Sequence, residues 1–374
     1  MTITLGSHIA CGGAWQLLDY DGKIVVKGSK AASELSFGLL AVGHYRLEST
    51  SKTSTHKVGD LLTTVSVVAP LKAPVGDGPV CLKAQLAFRF YRKNLSYTPE
   101  DAAHMIALAG VSYVQEALVW RLAGIEKIVD RNVKACAEAG LNVFVTPSST
   151  PEKFQHPKTF GRPVKKFSKD LRDFYHHLQA VASKFPDNVK AWEIRGEPEG
   201  NGGYFLPHEM AAGNKVASLA LKSINKNYLI GQGFHSDGYD YLEDELDNHV
   251  SDYIDLWFMH AHSNNYHLKK HIDDYAKRLS ILGPVWGSEV SYGYYPFLTK
   301  DKVTTEVSIK DEKVMAQDIC RFYARSIMSH ESKAFYFRFF THSQVKGKMW
   351  GMVRNSDLTT RPQYNAMAAA SRLL

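Results

Sequence analysis

Little in this chain offers redox, metal or membrane chemistry. The four cysteines, Cys11, Cys81, Cys136 and Cys320, are far apart and match neither a zinc-binding nor a CxxC spacing, so they are expected to be buried thiols. No run approaches the ~18 consecutive apolar residues of a membrane-crossing helix. The opening stretch, MTITLGSHIACGG, lacks a basic start and an uninterrupted apolar core, so no secretory signal is visible. Localisation therefore stays unknown: a cytoplasmic protein, or a secreted one seen without its leader. The GxGxxG, P-loop, GxSxG and HExxH motifs are absent, which removes support for dinucleotide, nucleoside triphosphate, serine hydrolase and zincin chemistry. The net charge of +7 is carried by lysines scattered through helices and loops, with no basic block to suggest a nucleic-acid or membrane surface.

What is present suits a folded, two-part chain. With 44% hydrophobic and 22% charged residues among 374, the sequence can bury a large core and shows no compositional sign of disorder. Residues 1–75 carry short alternating runs (AWQLLDYDG, KIVVKGS, ELSFGLL, GHYRLEST, LLTTVSVVAP) separated by turn residues, the pattern of a small antiparallel β-sandwich domain. Asp21-Gly22, between Tyr20 and Lys23, is a hairpin signal. The segment PLKAPVGDGP, residues 70–79, reads as an ordered linker.

From there, apolar runs alternate with amphipathic stretches. The pattern predicts strands at 82–90, 111–119, 142–147, 189–196, 228–234, 254–262, 285–290 and 334–340, with helical segments between them. Eight such units over residues 76–374 predict a (β/α)8 TIM barrel, α/β in class, whose site lies at the C-terminal ends of the strands.

Two glutamates fall at such ends. Glu197 closes WEIRGEPEGNGG, where Pro198 cannot continue a central strand and the nearby glycines let the backbone turn. Glu289 lies in VWGSEV, ahead of Tyr292, Tyr294 and Tyr295, whose rings can stack on sugars. A retaining glycosidase needs such a pair: a neutral carboxyl to protonate the leaving oxygen, and an ionised one about 5–5.5 Å away to attack the sugar carbon.

The residues Trp192 to Pro198 resemble the strand-four acid/base motif of clan A glycoside hydrolases, usually ending Asn-Glu-Pro, and Trp286 to Glu289 resemble that clan's strand-seven nucleophile motif. The closing segment WGMVRNSDLTTRPQYNAMAA is similar to the clan's usual end, and the order of sandwich, linker and barrel is most similar to glycoside hydrolase family 39 and its relatives. The resemblance implies that Glu197 is the acid/base and Glu289 the nucleophile. It also implies cleavage of an O-glycosidic bond in an oligo- or polysaccharide, with no cofactor and no metal.

The chain departs from the motif at Gly196, where the clan has asparagine to bond the substrate's 2-hydroxyl. Arg195, Asn201 and Glu116 are the candidate substitutes. The remaining expected substrate contacts are Trp120, His235, His260, His262, Tyr292, Tyr294 and Trp350. Arg89, Arg92, Asp237, Arg338 and His342 are further residues near strand ends.

Two other readings stay open: a carbohydrate-binding barrel without catalysis, motivated by Gly196, and a metal-dependent barrel hydrolase using His260 and His262. The sequence names neither the sugar, the linkage nor the oligomeric state.

Overall fold

The computed structural model describes residues 2–4, 12–32, 34–71, 76–91, 95–119, 124–147, 154–155, 167–185, 187–199, 205–235, 239–262, 274, 277–292, 295, 297–298, 303–304, 306–341 and 346–374. Six strands come first: β1 (Thr2–Thr4), β2 (Trp15–Leu18), β3 (Ile24–Gly28), β4 (Glu34–Ser36), β5 (Gly43–Ser49) and β6 (Leu61–Val67). They form a four-stranded antiparallel sheet in the order β3-β2-β5-β6 and a two-stranded sheet of β1 and β4. Leu35 from the smaller sheet joins Trp15, Leu17, Tyr45, Leu47 and Val65 in one apolar cluster, so the two sheets share a core. The hairpin expected at Asp21-Gly22 joins β2 to β3: Gly22 has φ +85°, and its N–H donates to the Asp19 carbonyl at 3.0 Å.

The rest is a closed barrel of eight parallel strands: β7 (Val80–Lys83), β8 (Tyr113–Leu118), β9 (Asn142–Pro147), β10 (Val189–Glu193), β11 (Leu229–His235), β12 (Leu256–His262), β13 (Val285–Ser291) and β14 (Glu331–Phe337). Its helices are α1 (Leu86–Phe90), α2 (Pro99–Leu108), α3 (Ile125–Glu138), α4 (Leu171–Ala182), α5 (Pro207–Ile224), α6 (Tyr239–Asp247), α7 (Ile309–Met328) and α8 (Pro362–Leu373). Local sequence explains several of their ends. Thr98 caps α2 in a reciprocal capping box with Asp101, with Pro99 in the first turn. Beyond α3 the chain turns at Gly140, φ +78°. Asn365 on α8 donates to the carbonyls of Gly43 and Val67, which ties the N-terminal sheet to the barrel.

One expected strand, 82–90, is cut short. The ladder stops at Lys83, Gln85 turns into the left-handed region at φ 49°, and Leu86–Phe90 coil into α1, whose free N–H at Ala87, in the first turn, is met by the Glu116 carboxylate. Short apolar runs do not distinguish helix from strand, and here a long-range cap decides. Cys81 and Cys136 are buried as expected, but Cys320 lies exposed on α7 because its position faces solvent; Cys11 falls outside the described residues. Among the described residues no helix is long and apolar enough to cross a membrane.

Two layers inside the barrel prepare the site. The lower is apolar: Cys81, Tyr113, Phe144, Ala191, Leu256, Phe258, Trp286 and Phe335 fill the interior, with Phe144 and Phe335 meeting edge to face at 4.5 Å. Strand alternation then aims the residue two positions further along each strand into the layer above. That rule delivers Lys83, Gln115, Thr146, Glu193, His260 and Ser288. Strand β11 packs Leu229 against the lower layer and then supplies two glycines. A Cβ at Gly231 would lie 2.6 Å from the Phe258 ring and one at Gly233 2.3 Å from the Glu193 carboxylate, so larger residues are excluded.

Candidate active site

Glu289 reaches the barrel mouth through an irregularity in its strand. Phe258 pairs with Trp286 but His260 pairs with Glu289, so β13 carries one residue more than β12 across this stretch. In a regular strand, alternation from the inward Trp286 would point residue 289 outward. The bulge turns it inward, beside Ser288.

Glu197 lies four residues beyond the end of β10 and has φ 53°. A left-handed backbone at a non-glycine residue costs about 1–3 kcal/mol and persists where surrounding structure or function holds it. Both carboxylates remain open to solvent, with side chains 19% and 17% exposed.

One histidine connects them. The Nδ1 of His260 is 3.2 Å from Glu197 Oε1 and 3.7 Å from Glu289 Oε2. Its Nε2 is 2.8 Å from Oε1 of Glu193, a wholly buried third carboxylate. Ser288 Oγ donates to the same oxygen at 3.0 Å, while Thr146 Oγ1 donates to Oε2 at 2.8 Å and accepts in turn from Gln115 Nε2 at 2.7 Å.

Burial alone would raise the pKa of Glu193, but the charge and hydrogen bond of His260, with Lys83 and Thr146, hold it below the usual carboxylate value. Burial likewise opposes charge on His260, yet Glu193, Glu197 and Glu289 outweigh it and raise the imidazole to about 10. The ring is thus an imidazolium at neutral pH, with both N–H groups directed at carboxylates. Among the described residues no group of three or more His, Cys, Asp or Glu could hold a metal.

Glu289 has cations on its other side. The buried ammonium of Lys83 forms an ion pair with Glu289 Oε2. Arg338 lies near enough to interact electrostatically with Glu289, and burial lowers the guanidinium to about 10, with Glu289 opposing that shift.

Gly196 carries no side chain because His260 occupies the space: a Cβ built there would lie 2.6 Å from the ring's Cε1. The candidate substitutes for the missing asparagine lie elsewhere. Glu116 points outward, accepting from Ala87 N–H at 3.1 Å and Asn132 Nδ2 at 3.1 Å, since its strand neighbour Gln115 takes the inward position. Arg195 is buried with its guanidinium 4.4 Å from the Phe205 ring centroid. Asn201 lies outside the described residues.

The expected substrate contacts divide similarly. Tyr292 turns towards α7, where its hydroxyl accepts from Arg325 Nη1 at 2.8 Å and its ring meets Phe322 edge to face. Its hydroxyl and ring thus both pack against α7. Trp350 packs edge to face on Phe337 at 5.2 Å, and Phe337 in turn lies under the Lys83 ammonium. The backbones of His235 and His262 pair with His260 and Ser291, at the mouth ends of their strands. Trp120 and Tyr294 lie outside the described residues.

Sequence reasoning missed Glu193 and Lys83. A signal for each was available: a charged residue two positions after an inward-facing apolar one, in a strand otherwise buried on both faces. A separate apolar cleft of about 470 Å³, lined by Pro70, Leu71, Leu108, Val111 and Leu141 among others, lies at the opposite end of the barrel and has no carboxylate on its walls.

No family model matches the chain, and no curated protein matches it. Solved structures do. A family 39 glycoside hydrolase from the gut symbiont Bacteroides cellulosilyticus WH2 superposes with a TM-score of 0.72 at 16% identity, over 96% of this chain and 77% of that one. A glucosidase from Croceicoccus marinus gives 0.56 at 12% identity, over 80% and 69%. Xylanase B from Clostridium stercorarium F9 gives 0.52 at 15% identity, over 77% and 99%. At these identities the likeness defines the fold: a (β/α)8 barrel, with an N-terminal antiparallel sheet preceding it here.

Proposed function

We propose that the chain is a retaining glycoside hydrolase that cleaves O-glycosidic bonds of an oligo- or polysaccharide by double displacement, with residues 76–374 as the catalytic domain and 1–75 as an accessory one. The observation that carries this reading is the convergence of Glu197 and Glu289, from the fourth and seventh barrel strands, on a single nitrogen of His260. The solved structures that share the fold are described as glycoside hydrolases, which agrees with it.

Glu289 is the nucleophile. The Lys83 ammonium favours its ionised form, and attack on the anomeric carbon gives a covalent glycosyl enzyme. Glu197 donates a proton to the departing oxygen, then as carboxylate takes one from the water that releases the sugar. Trp350, packed on Phe337 beside Lys83, is the aromatic residue read as a substrate contact. No step in this scheme calls on a metal or organic cofactor.

Hydrolysis of a panel of activated aryl glycosides by Glu289→Ala and Glu197→Gln tests the assignment. Each variant is expected to lose turnover by orders of magnitude while keeping the native circular dichroism spectrum. Near-normal hydrolysis by either one would remove it from the mechanism.

A further inference from the structure

Glu193 takes no part in the steps above, yet the barrel is built around it. Burying a carboxylate costs several kcal/mol unless it is paired and hydrogen-bonded, and Glu193 is wholly buried with donors from four other strands: Thr146, Gln115 through Thr146, His260 and Ser288. Two glycines make the arrangement possible. A Cβ at Gly233 would strike the Glu193 carboxylate at 2.3 Å, and one at Gly196 would strike the His260 ring at 2.6 Å. Neither glycine has the positive φ that would by itself demand the residue, so space is the reason for both.

We propose that Glu193 and His260 act as one fixed carboxylate–imidazolium pair that sets the protonation of Glu197, with His260 in the space a side chain at residue 196 would fill and Glu193 as a positioning residue acting through it. The inference rests on the reading of Glu197 as proton donor. When Glu197 gives its proton to the leaving oxygen, a carboxylate is created 3.2 Å from the His260 Nδ1–H, which is already aimed at it. The cation stabilises that carboxylate and so keeps Glu197 a stronger acid than it would otherwise be.

The charged groups facing His260 are Glu193 and Glu197 from the β10 side and Glu289 from β13; Lys83 from β7 and Arg338 after β14 stand on the far side of Glu289. Of these, Glu193 contacts the ring and takes no part in the reaction. It is therefore the group to change.

The test is Glu193→Gln, which keeps shape and removes charge. In the unaltered protein the imidazole ¹⁵N signals of His260, assigned by their loss in His260→Gln, are expected to remain those of the protonated ring through pH 8. In Glu193→Gln, with burial no longer offset by that charge, the ring is expected to lose its proton below about pH 6, and once it is neutral the ¹³C carboxyl signal of Glu197 should titrate about one pH unit higher. The alkaline limb of the kcat/KM profile on an aryl glycoside should move up with it. Ser288→Ala, which removes a neutral donor to the same carboxylate but keeps its charge, should leave that limb where it was, whereas a purely structural role would lower activity in both variants without moving either limb.

A His260 that titrates near pH 6.5 in the unaltered protein overturns the proposal, even if Glu193→Gln does not fold. So does an unchanged Glu197 titration in the folded variant. Absence of hydrolysis at every pH would instead defeat the glycosidase reading, and the two carboxyl and imidazole titrations would still decide the pair.

Discussion

Adding a single methyl group at residue 196 probes how the site is packed. The Cβ of Gly196→Ala would stand 2.6 Å from His260 Cε1 and 3.3 Å from Nε2, closer than unstrained atoms approach. The backbone there accepts an ordinary residue, so the cost comes from the collision. His260 cannot yield cheaply, because its Nε2 is bonded to a buried carboxylate that is itself held by Thr146 and Ser288. Overpacking of this kind costs about 1–3 kcal/mol, which lowers the melting midpoint by roughly 1–4 °C in a chain of this size.

Gly213→Ala is the control. That glycine lies inside α5, and a Cβ would make only an ordinary contact at 3.6 Å with Phe167, so the change should stabilise by about 0.5–1 kcal/mol. In a His260→Ala background the methyl at 196 has room, and its cost should vanish. Urea unfolding of the two single variants and the double variant then gives a coupling of about 1–3 kcal/mol. Additive costs, agreeing within about 0.5 kcal/mol, would refute the exchange of space between Gly196 and His260.

Two further outcomes follow from the charges. Lys83→Met removes one of the cations facing Glu289 and leaves His260 and Arg338; breaking a buried pair outright costs about 3–5 kcal/mol, so with two cations remaining and Glu289 partly open to solvent a smaller loss, about 1–3 kcal/mol, is expected in denaturant unfolding, together with an upward move of the acid limb of activity. Burial raises Glu116 to about 7, against backbone and Asn132 hydrogen bonds that pull it down. The folded protein therefore keeps a proton between about pH 4.5 and 7 that the unfolded chain has released, so stability falls as pH rises through that window and is level above it. The loss is on the order of 3 kcal/mol. Glu116→Gln should abolish this part of the decline between pH 5 and pH 8, since Asn132 can turn its amide to present an acceptor; an unchanged decline in urea midpoints would count against it.

The barrel was legible because its strands are apolar runs bounded by turn residues: the expected strand at 142–147 coincides with β9, and seven others overlap the observed ladder. Where the sequence misled, a distant group had decided the local structure. Residues 86–90 read as strand until the Glu116 carboxylate is seen capping them into α1. At the site, Glu197 and Glu289 stood out because proline and glycine flank them. Their pairing was expected from their places at two strand ends, but not the bulge in β13 that turns Glu289 inward to achieve it. Glu193 and Lys83 were concealed by sitting inside strands, where period-two alternation alone fixes which face they take. Gly196 appeared as something missing; in three dimensions its position is filled by a ring from another strand.

The configuration of the first product tests most directly whether Glu289 and Glu197 work as nucleophile and acid/base. With an activated aryl glycoside of known anomeric configuration as substrate, ¹H NMR in the first minutes of reaction should show the released sugar with that configuration retained, before mutarotation mixes the anomers. A first-formed product of opposite configuration would contradict the account.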